Sequence, residues 1–188
     1  MGRPRSEEAR LAVLRAVDDL LVEQGYAAMT MKGIAERAGV GRQTVYRWWS
    51  TKAEILIEAS VTDAADELIA PPRADPEAEL VTFLEALARF LSVSPAGLAY
   101  RALLGEAQQD QEVAGLVASH DLIGDSAAVI FDRIRDRLVA LPDPDLATAQ
   151  LVGPVLYAVL TAPDRCPESL IVPHVRSVLA AWTDPGPQ

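Results

Sequence analysis

From position 42 to 48 the chain reads Arg-Gln-Thr-Val-Tyr-Arg-Trp, a group in which six of seven side chains can make directed polar contacts and none is acidic. Val45 and Trp49 stand four apart, so on a helix they share one face. Burying that face leaves Arg42, Gln43, Thr44, Tyr46, Arg47 and Trp48 directed outward. Guanidinium, amide, hydroxyl and indole groups with no carboxylate among them suit a polynucleotide, whose phosphates require cations and whose base edges require hydrogen-bonding groups. Arg37, Arg42, Arg47 and Lys52 follow one another with no acidic residue between them. Thr30 and Lys32 extend the polar set on the N-terminal side. The bland alternative is a solvated charged helix face, and it is stronger for a single side chain such as Lys32 or Arg47 than for the set.

Net charge argues the other way at first. The 188 residues carry −10, with half of them apolar. The charge is unevenly spread, however. Residues 1–55 hold nine basic and seven acidic side chains, and residues 56–188 hold eight and twenty. A head of +2 on a body of −12 confines any contact with a polyanion to one end of the chain, and the local field matters more than the whole-chain pI.

These groups need elements to hold them. Helical spacing recurs almost everywhere and strand alternation is not sustained. A first helix is predicted over about 6–23, with Ser6 as N-cap, an apolar stripe of Val13, Ala16, Val17, Leu20 and Leu21, and Gly25 as its stop. A short second helix follows at 31–37 behind Thr30 as N-cap. After Ala38-Gly39-Val40 comes a third at 41–48. Thr51-Lys52-Ala53-Glu54 has the form of a capping box and opens a fourth, reaching about residue 70. Two short helices joined by a glycine turn and packed on a longer first helix make a helix-turn-helix, at about 30–49. Ile34 and Ala35 face inward, and Val40 plugs the turn.

The run Thr30, Ile34, Ala35, Ala38, Gly39, Val40, Thr44, Tyr46, Trp49 and Lys52 resembles the signature of the tetracycline-repressor (TetR) family. The likeness covers about the first quarter of the chain. It implies a role for each matching position. Thr30 caps the second helix and touches phosphate. Arg42 and Gln43 reach base edges, with Arg favouring guanine and Gln adenine. Thr44 meets phosphate or a thymine methyl, Tyr46 and Lys52 meet phosphate, and Arg47 faces the backbone. Trp48 stands where many members have His, which favours apolar contact with a sugar or thymine methyl. Gly41 replaces a common Ser, and Ser50 a frequent Pro. Ahead of the first helix, Arg3 and Arg5 form a short arm that either enters the minor groove or stays an unordered tail.

The rest of the chain is predicted helical: about 76–91 after the Pro71-Pro72 break, 95–109, 111–141 with an interruption near Ile123-Gly124, 144–161 with a kink or break at Pro154, and a last helix ending near Trp182 that begins or bends at Pro173. The whole is read as all-α with about nine helices. A three-helix DNA-binding domain spans 1–55 and a helical bundle spans 56–188; the resemblance implies that this bundle dimerises and encloses a ligand. The 144–161 helix is apolar nearly all round, so a subunit interface through Leu151, Val155, Ala158, Val159, Val175, Leu179 and Trp182 is the expected second burial. Phe83, Leu87, Phe90, Tyr100, Leu104, His120, Phe131 and Tyr157 are the candidates for lining a pocket, with Tyr100 and His120 as its polar members. Core packing is the competing reading for each.

Other classes are poorly served. Asp164, Cys166 and His174 lie close in sequence but in no nucleophile motif. Two His and one Cys cannot supply a typical structural zinc site. No glycine-rich phosphate loop is present, so neither an enzyme nor a cofactor is implied. One cysteine permits no intramolecular disulfide. The N-terminus has no apolar leader, and the strongly apolar stretch around 151–160 is too short to span a bilayer. The expectation is a cytoplasmic, homodimeric regulator, most simply a repressor released from a palindromic operator by a small apolar or aromatic effector. An activator of the same fold, or a DNA-binding architectural protein without a ligand, is the alternative. Effector, operator and regulated genes are not encoded legibly.

Overall fold

A computed structural model of the chain describes residues 3–162 and 168–183, with side chains from Glu7 onward. Among the described residues all regular structure is helical: α1 (Arg3–Ala28), α2 (Met31–Arg37), α3 (Arg42–Tyr46), α4 (Lys52–Leu68), α5 (Pro76–Val93), α6 (Pro95–Glu106), α7 (Gln111–Ser119), α8 (Leu122–Ile134), a 3-10 turn (Arg135–Arg137), α9 (Pro144–Thr161) and α10 (Glu168–Thr183). The all-α expectation holds, with ten α-helices against about nine.

The additional helix comes from the 111–141 region. It breaks at His120 (φ −134, ψ 69) and Asp121, three residues before the predicted interruption. Asp121 is the N-cap of α8 and its carboxylate accepts the Gly124 amide at 3.0 Å. A Cβ on Gly124 would stand 2.1 Å from that carboxylate, so glycine is what lets the cap close. By length and composition alone the 111–137 run is apolar enough to cross a membrane. The break interrupts its helical hydrogen bonding, a costly arrangement in hydrocarbon.

Two compact units emerge. One contains Met1–Asp63 with Ser94–His120, the other Ala64–Val93 with Asp121–Gln188. The predicted cut at 55 falls inside α4, and α6 and α7 group with the N-terminal helices.

In the first unit the predicted stripe of α1 is buried throughout, together with Met29, Ile34, Ala35, Val45, Trp49, Ile55 and Leu56. Helix α1 packs on α2 and α6, and α6 on α7. The Ser60 hydroxyl donates to the Ala96 carbonyl at 2.9 Å and fastens α4 to the start of α6. Helix α1 begins at Arg3, before the predicted Ser6 cap; Pro4 in a first turn needs no amide donor and carries a preset φ. Gly25 (φ 76, ψ 167) ends its regular course as expected.

In the second unit α5 contributes Leu80, Phe83, Leu84, Leu87, Phe90 and Leu91 to the core and packs against α8, α9 and α10. Phe131 meets Trp182 edge to face at 5.7 Å, and the Trp182 indole donates to Gln150 at 2.9 Å. Glu79, 3% exposed, pairs with Arg133 at 2.7 Å and accepts the Arg73 amide at 2.5 Å. Arg133 also donates to the Ala70 carbonyl at 2.8 Å, so this buried pair holds the Pro71-Pro72 linker. Helix α9 continues through Pro154 without a break, and α10 contains Pro173 instead of starting there.

The predicted interface set needs correction. Leu151, Val155, Val159 and Val175 are wholly buried within their own unit, Trp182 nearly so, and Ala158 and Leu179 are partly exposed. Side chains already covered by their own chain have little surface left for a partner. The exposed apolar groups of these helices are Leu146, Tyr157 and Leu160 on α9 and Leu170 on α10. Tyr157, at 71% exposed, therefore does not line an interior pocket. Of the other pocket candidates, Phe83, Leu87, Phe90 and Phe131 are buried in the second unit. Tyr100 is buried in the first, Leu104 is partly exposed there, and His120 is exposed on its surface.

Candidate DNA-reading site

The reading helix is held from both ends. On its N-terminal side, the Thr30 hydroxyl accepts the Gly33 amide at 3.0 Å and starts α2. The end of α2 is a Schellman turn: Val40 N–H donates to Ala35 O at 3.0 Å and Gly39 N–H to Glu36 O at 3.2 Å. Gly39 sits at φ 67, where an L side chain is strained. Gly41 then caps α3 through its backbone alone, its carbonyl accepting the Thr44 amide at 2.9 Å.

On its C-terminal side, Trp49 is 3% exposed and its indole donates to Glu58 of α4 at 2.8 Å. Glu58 in turn pairs with Arg10 of α1 at 2.6 Å. The capping box is shifted by one residue: Glu54 N–H donates to the Thr51 hydroxyl at 3.2 Å, while the Glu54 carboxylate accepts the amide of Ser50, not of Thr51, at 2.6 Å. The Arg10–Glu58–Trp49 chain escaped sequence reading because its members sit on three elements, with no local spacing to connect them.

Between these anchors Val45 is fully buried, and Arg42, Gln43, Tyr46 and Arg47 are exposed. Thr44 and Trp48 are partly covered. Arg47 lies over the Trp48 ring at 4.8 Å, and Trp48 packs edge-on against Trp49 at 5.4 Å. Trp48 also lines a groove of about 290 Å³ with Trp49, Ile57, Glu58, Leu116 and His120, which is where the expected pocket residue His120 is found.

The cations of this region divide into two kinds. Arg37 is bonded to Glu23 and lies 3.6 Å from Asp19, and the Glu23 hydrogen bond holds its guanidinium above the ordinary arginine range. Lys32 faces Glu36 at 3.6 Å with its side chain 60% exposed. Arg42 and Arg47 have no carboxylate within 4.0 Å among the described residues, so their charge is uncompensated on the reading face. The side chains of Arg3 and Arg5, like Asp164 and Cys166, lie outside the described residues; the backbone of Arg3 and Arg5 is helical. His174 hydrogen-bonds the Leu151 carbonyl at 2.9 Å within the second unit.

Lys52, expected at phosphate, is bonded within the protein. Its ammonium donates to the carbonyls of Tyr26 at 2.8 Å and Met29 at 3.2 Å, and stands 3.9 Å from the centre of the Tyr26 ring. Burial pushes it below the ordinary lysine range, with Glu106 acting in the opposite sense. Burial likewise pushes the Tyr26 hydroxyl up to about 12, aided by Glu106 and Asp110. A groove of about 390 Å³ opens beside this pair.

Comparison with known proteins agrees with this geometry. The sequence model of bacterial regulatory proteins of the tetR family matches residues 13–59, which include every element just described from α2 to the start of α4. The HTH-type transcriptional regulator YdeS of Bacillus subtilis is 41% identical over 113 residues, 60% of this chain and 57% of YdeS. The chain thus spans little more than half the length of that relative. EthR of Mycobacterium tuberculosis, also an HTH-type transcriptional regulator, is 31% identical over 164 residues, 79% of this chain and 73% of EthR. The crystal structure of the TetR-family transcription regulator SCO0332 superimposes with a TM-score of 0.75 at 27% identity, covering 93% of this chain and 98% of that one. With a reading helix exposed as the signature requires and a relative matched over most of both chains, this chain belongs to the TetR family of DNA-binding transcriptional regulators.

Proposed function

We propose that the protein is a homodimeric repressor that binds a pseudo-palindromic operator in the cytoplasm and leaves it when a small apolar or aromatic molecule binds. The observation that carries the DNA-reading half is the pair of uncompensated guanidiniums, Arg42 and Arg47, beside exposed Gln43 and Tyr46 on α3. Arg42 and Gln43 stand at the start of the helix and are assigned to base edges. Tyr46, Arg47, Thr44, Thr30 and Lys32 are assigned to the sugar-phosphate backbone, and Trp48 to apolar contact at its margin. Arg3 and Arg5 are assigned to the minor groove beside the operator. Residues 1–55 carry this role, and residues 56–188 carry dimerisation and effector binding.

Two heads reading one operator must meet successive major grooves, about 34–36 Å apart. The exposed apolar side chains Leu146, Tyr157, Leu160 and Leu170 support pairing through α9 and α10. Gly153 adds to this surface, since nothing lies within 4 Å of where its Cβ would be. Effector and operator then favour different conformers of the dimer, and the coupling is reciprocal.

The test is selection of binding sites from random duplex DNA, with wild type and Arg42→Ala in parallel. An inverted repeat is expected, losing definition at one symmetric position in the variant. Retention of DNA that depends on salt but not on sequence would overturn the specific-regulator reading in favour of an architectural role. Reporter expression from the selected repeat then decides repression against activation, and small-molecule release of the duplex decides ligand response.

A further inference from the structure

Of Arg37, Arg42, Arg47 and Lys52, the cations that the sequence aligns without an intervening carboxylate, the fold pairs Arg37 with Glu23 and turns Lys52 inward. Gly25 interrupts α1, so Tyr26 begins a separate turn in which its carbonyl accepts the Met29 amide at 3.1 Å. The same carbonyl takes a proton of the Lys52 ammonium, and so does the Met29 carbonyl. Met29 is 2% exposed and directly precedes Thr30, the cap of α2. Lys52 is the first residue of α4. One ammonium therefore joins the end of α1, the entry to α2 and the start of α4, and α3 hangs between the last two. An ammonium has three donors. Two are spent on carbonyls and the Tyr26 ring faces the charge, so leaving them for a phosphate would give up the ring and strip the Met29 carbonyl of its lysine donor, while the Tyr26 carbonyl keeps the Met29 amide.

We propose that Lys52 is a positioning residue for operator recognition, acting through Tyr26 and Met29 on the entry to the helix-turn-helix, and is not a phosphate ligand. The proposal rests on the DNA-reading assignment above and refines it.

Two measurements on Lys52→Met and Tyr26→Leu test it. In the DNA-free protein, amide hydrogen exchange over residues 29–37 is expected to quicken about tenfold in Lys52→Met, with exchange in α9 unchanged. On the duplex selected by wild type, affinity is expected to fall about tenfold while the slope of log affinity against log salt keeps its value. A phosphate ligand would instead lower that slope by about 0.9 for each protomer. Tyr26→Leu is expected to weaken binding in the same way, and the double variant to bind no worse than the more impaired single one, because both act on one junction. A reduced slope with undisturbed exchange at 29–37, or losses that simply add, would return Lys52 to the phosphate backbone. Should Lys52→Met fail to fold, Lys52→Gln, which loses the charge and keeps an amide donor for one carbonyl, decides alone: lower affinity at constant slope supports the junction, and a reduced slope overturns it. If wild type selects no sequence, the regulator reading fails while hydrogen exchange still decides what Lys52 holds.

Discussion

Arg42 and Lys52 carry the same charge ten residues apart, yet their surroundings give them opposite tasks. Arg42 is exposed, with no acidic neighbour within ion-pair distance among the described residues, so its planar fork is available to a base edge. Replacing it with Ala is expected to cost about 1–3 kcal/mol of specific affinity and to relax one symmetric operator position, as read by titration against singly substituted duplexes. Uniform weakening across all those duplexes would make Arg42 a phosphate contact. Asp18 on α1 shows the same dependence on surroundings without any link to DNA. Burial, then Asp63 and Asp19, push its carboxyl up to about 6, and its Oδ1 has no hydrogen-bond partner. A carboxyl raised in the folded state adds stability while protonated, fully so below its unfolded value near 3.8, and loses it as pH rises through about 6. Asp18→Asn is therefore expected to melt higher than wild type at pH 8, by about 1–2 kcal/mol after allowance for solvent screening, with the gain vanishing below about pH 4. A gain that persists unchanged at low pH would assign the effect to packing.

At the scale of elements, the reading helix is only five residues long, too short to stand by itself. Its direction is set by the Schellman turn before it and by the Trp49–Glu58–Arg10 chain after it. Gly39→Ala is expected to destabilise the protein by about 1–2 kcal/mol, through the positive φ and not through crowding, since a Cβ there would meet nothing within 4 Å. Chemical denaturation measures this. Equal stability of the Ala and Gly proteins would show that the turn relaxes to another conformation. Sequence reading located this turn because an αL glycine after a short helix has a local cause. It missed the Asp121 cap and placed the break of the 111–141 region too late. Asp121-Leu122-Ile123-Gly124 continues an apolar run that periodicity treats as helix, while the steric need for glycine beside the Asp121 carboxylate appears only once the cap is folded.

For the whole molecule, the proposed homodimer requires an apolar surface that a second copy covers. Helix α9 is apolar on both sides, and the sequence assigned its interface to Leu151, Val155, Ala158 and Val159. The fold spends Leu151, Val155 and Val159 on the core, leaves Ala158 partly exposed, and keeps Tyr157 and Leu160 at the surface, 71% and 51% exposed. Charged groups introduced there, Tyr157→Glu with Leu160→Glu, are expected to convert dimer to monomer in sedimentation velocity with little change in helix content. A dimer that survives both substitutions would place the interface elsewhere. The monomer is also expected to bind the operator far more weakly, because two heads then no longer share one chelated duplex.

The sequence alone determined the helical class, most helix starts and most of the side chains that α3 leaves exposed. Those features follow from local causes: side-chain periodicity, caps, and glycines at positive φ. It also determined the family, through a signature confined to one contiguous stretch. Only the tertiary structure decided that Lys52 points inward, that Glu79 and Arg133 lock the Pro71-Pro72 linker, and which face of α9 stays exposed. Each of these depends on groups 23 or more residues apart meeting at hydrogen-bond or packing distance. An all-round apolar helix gives periodicity no direction to report, and a lysine ammonium goes to whatever acceptors the fold brings within reach of its stem.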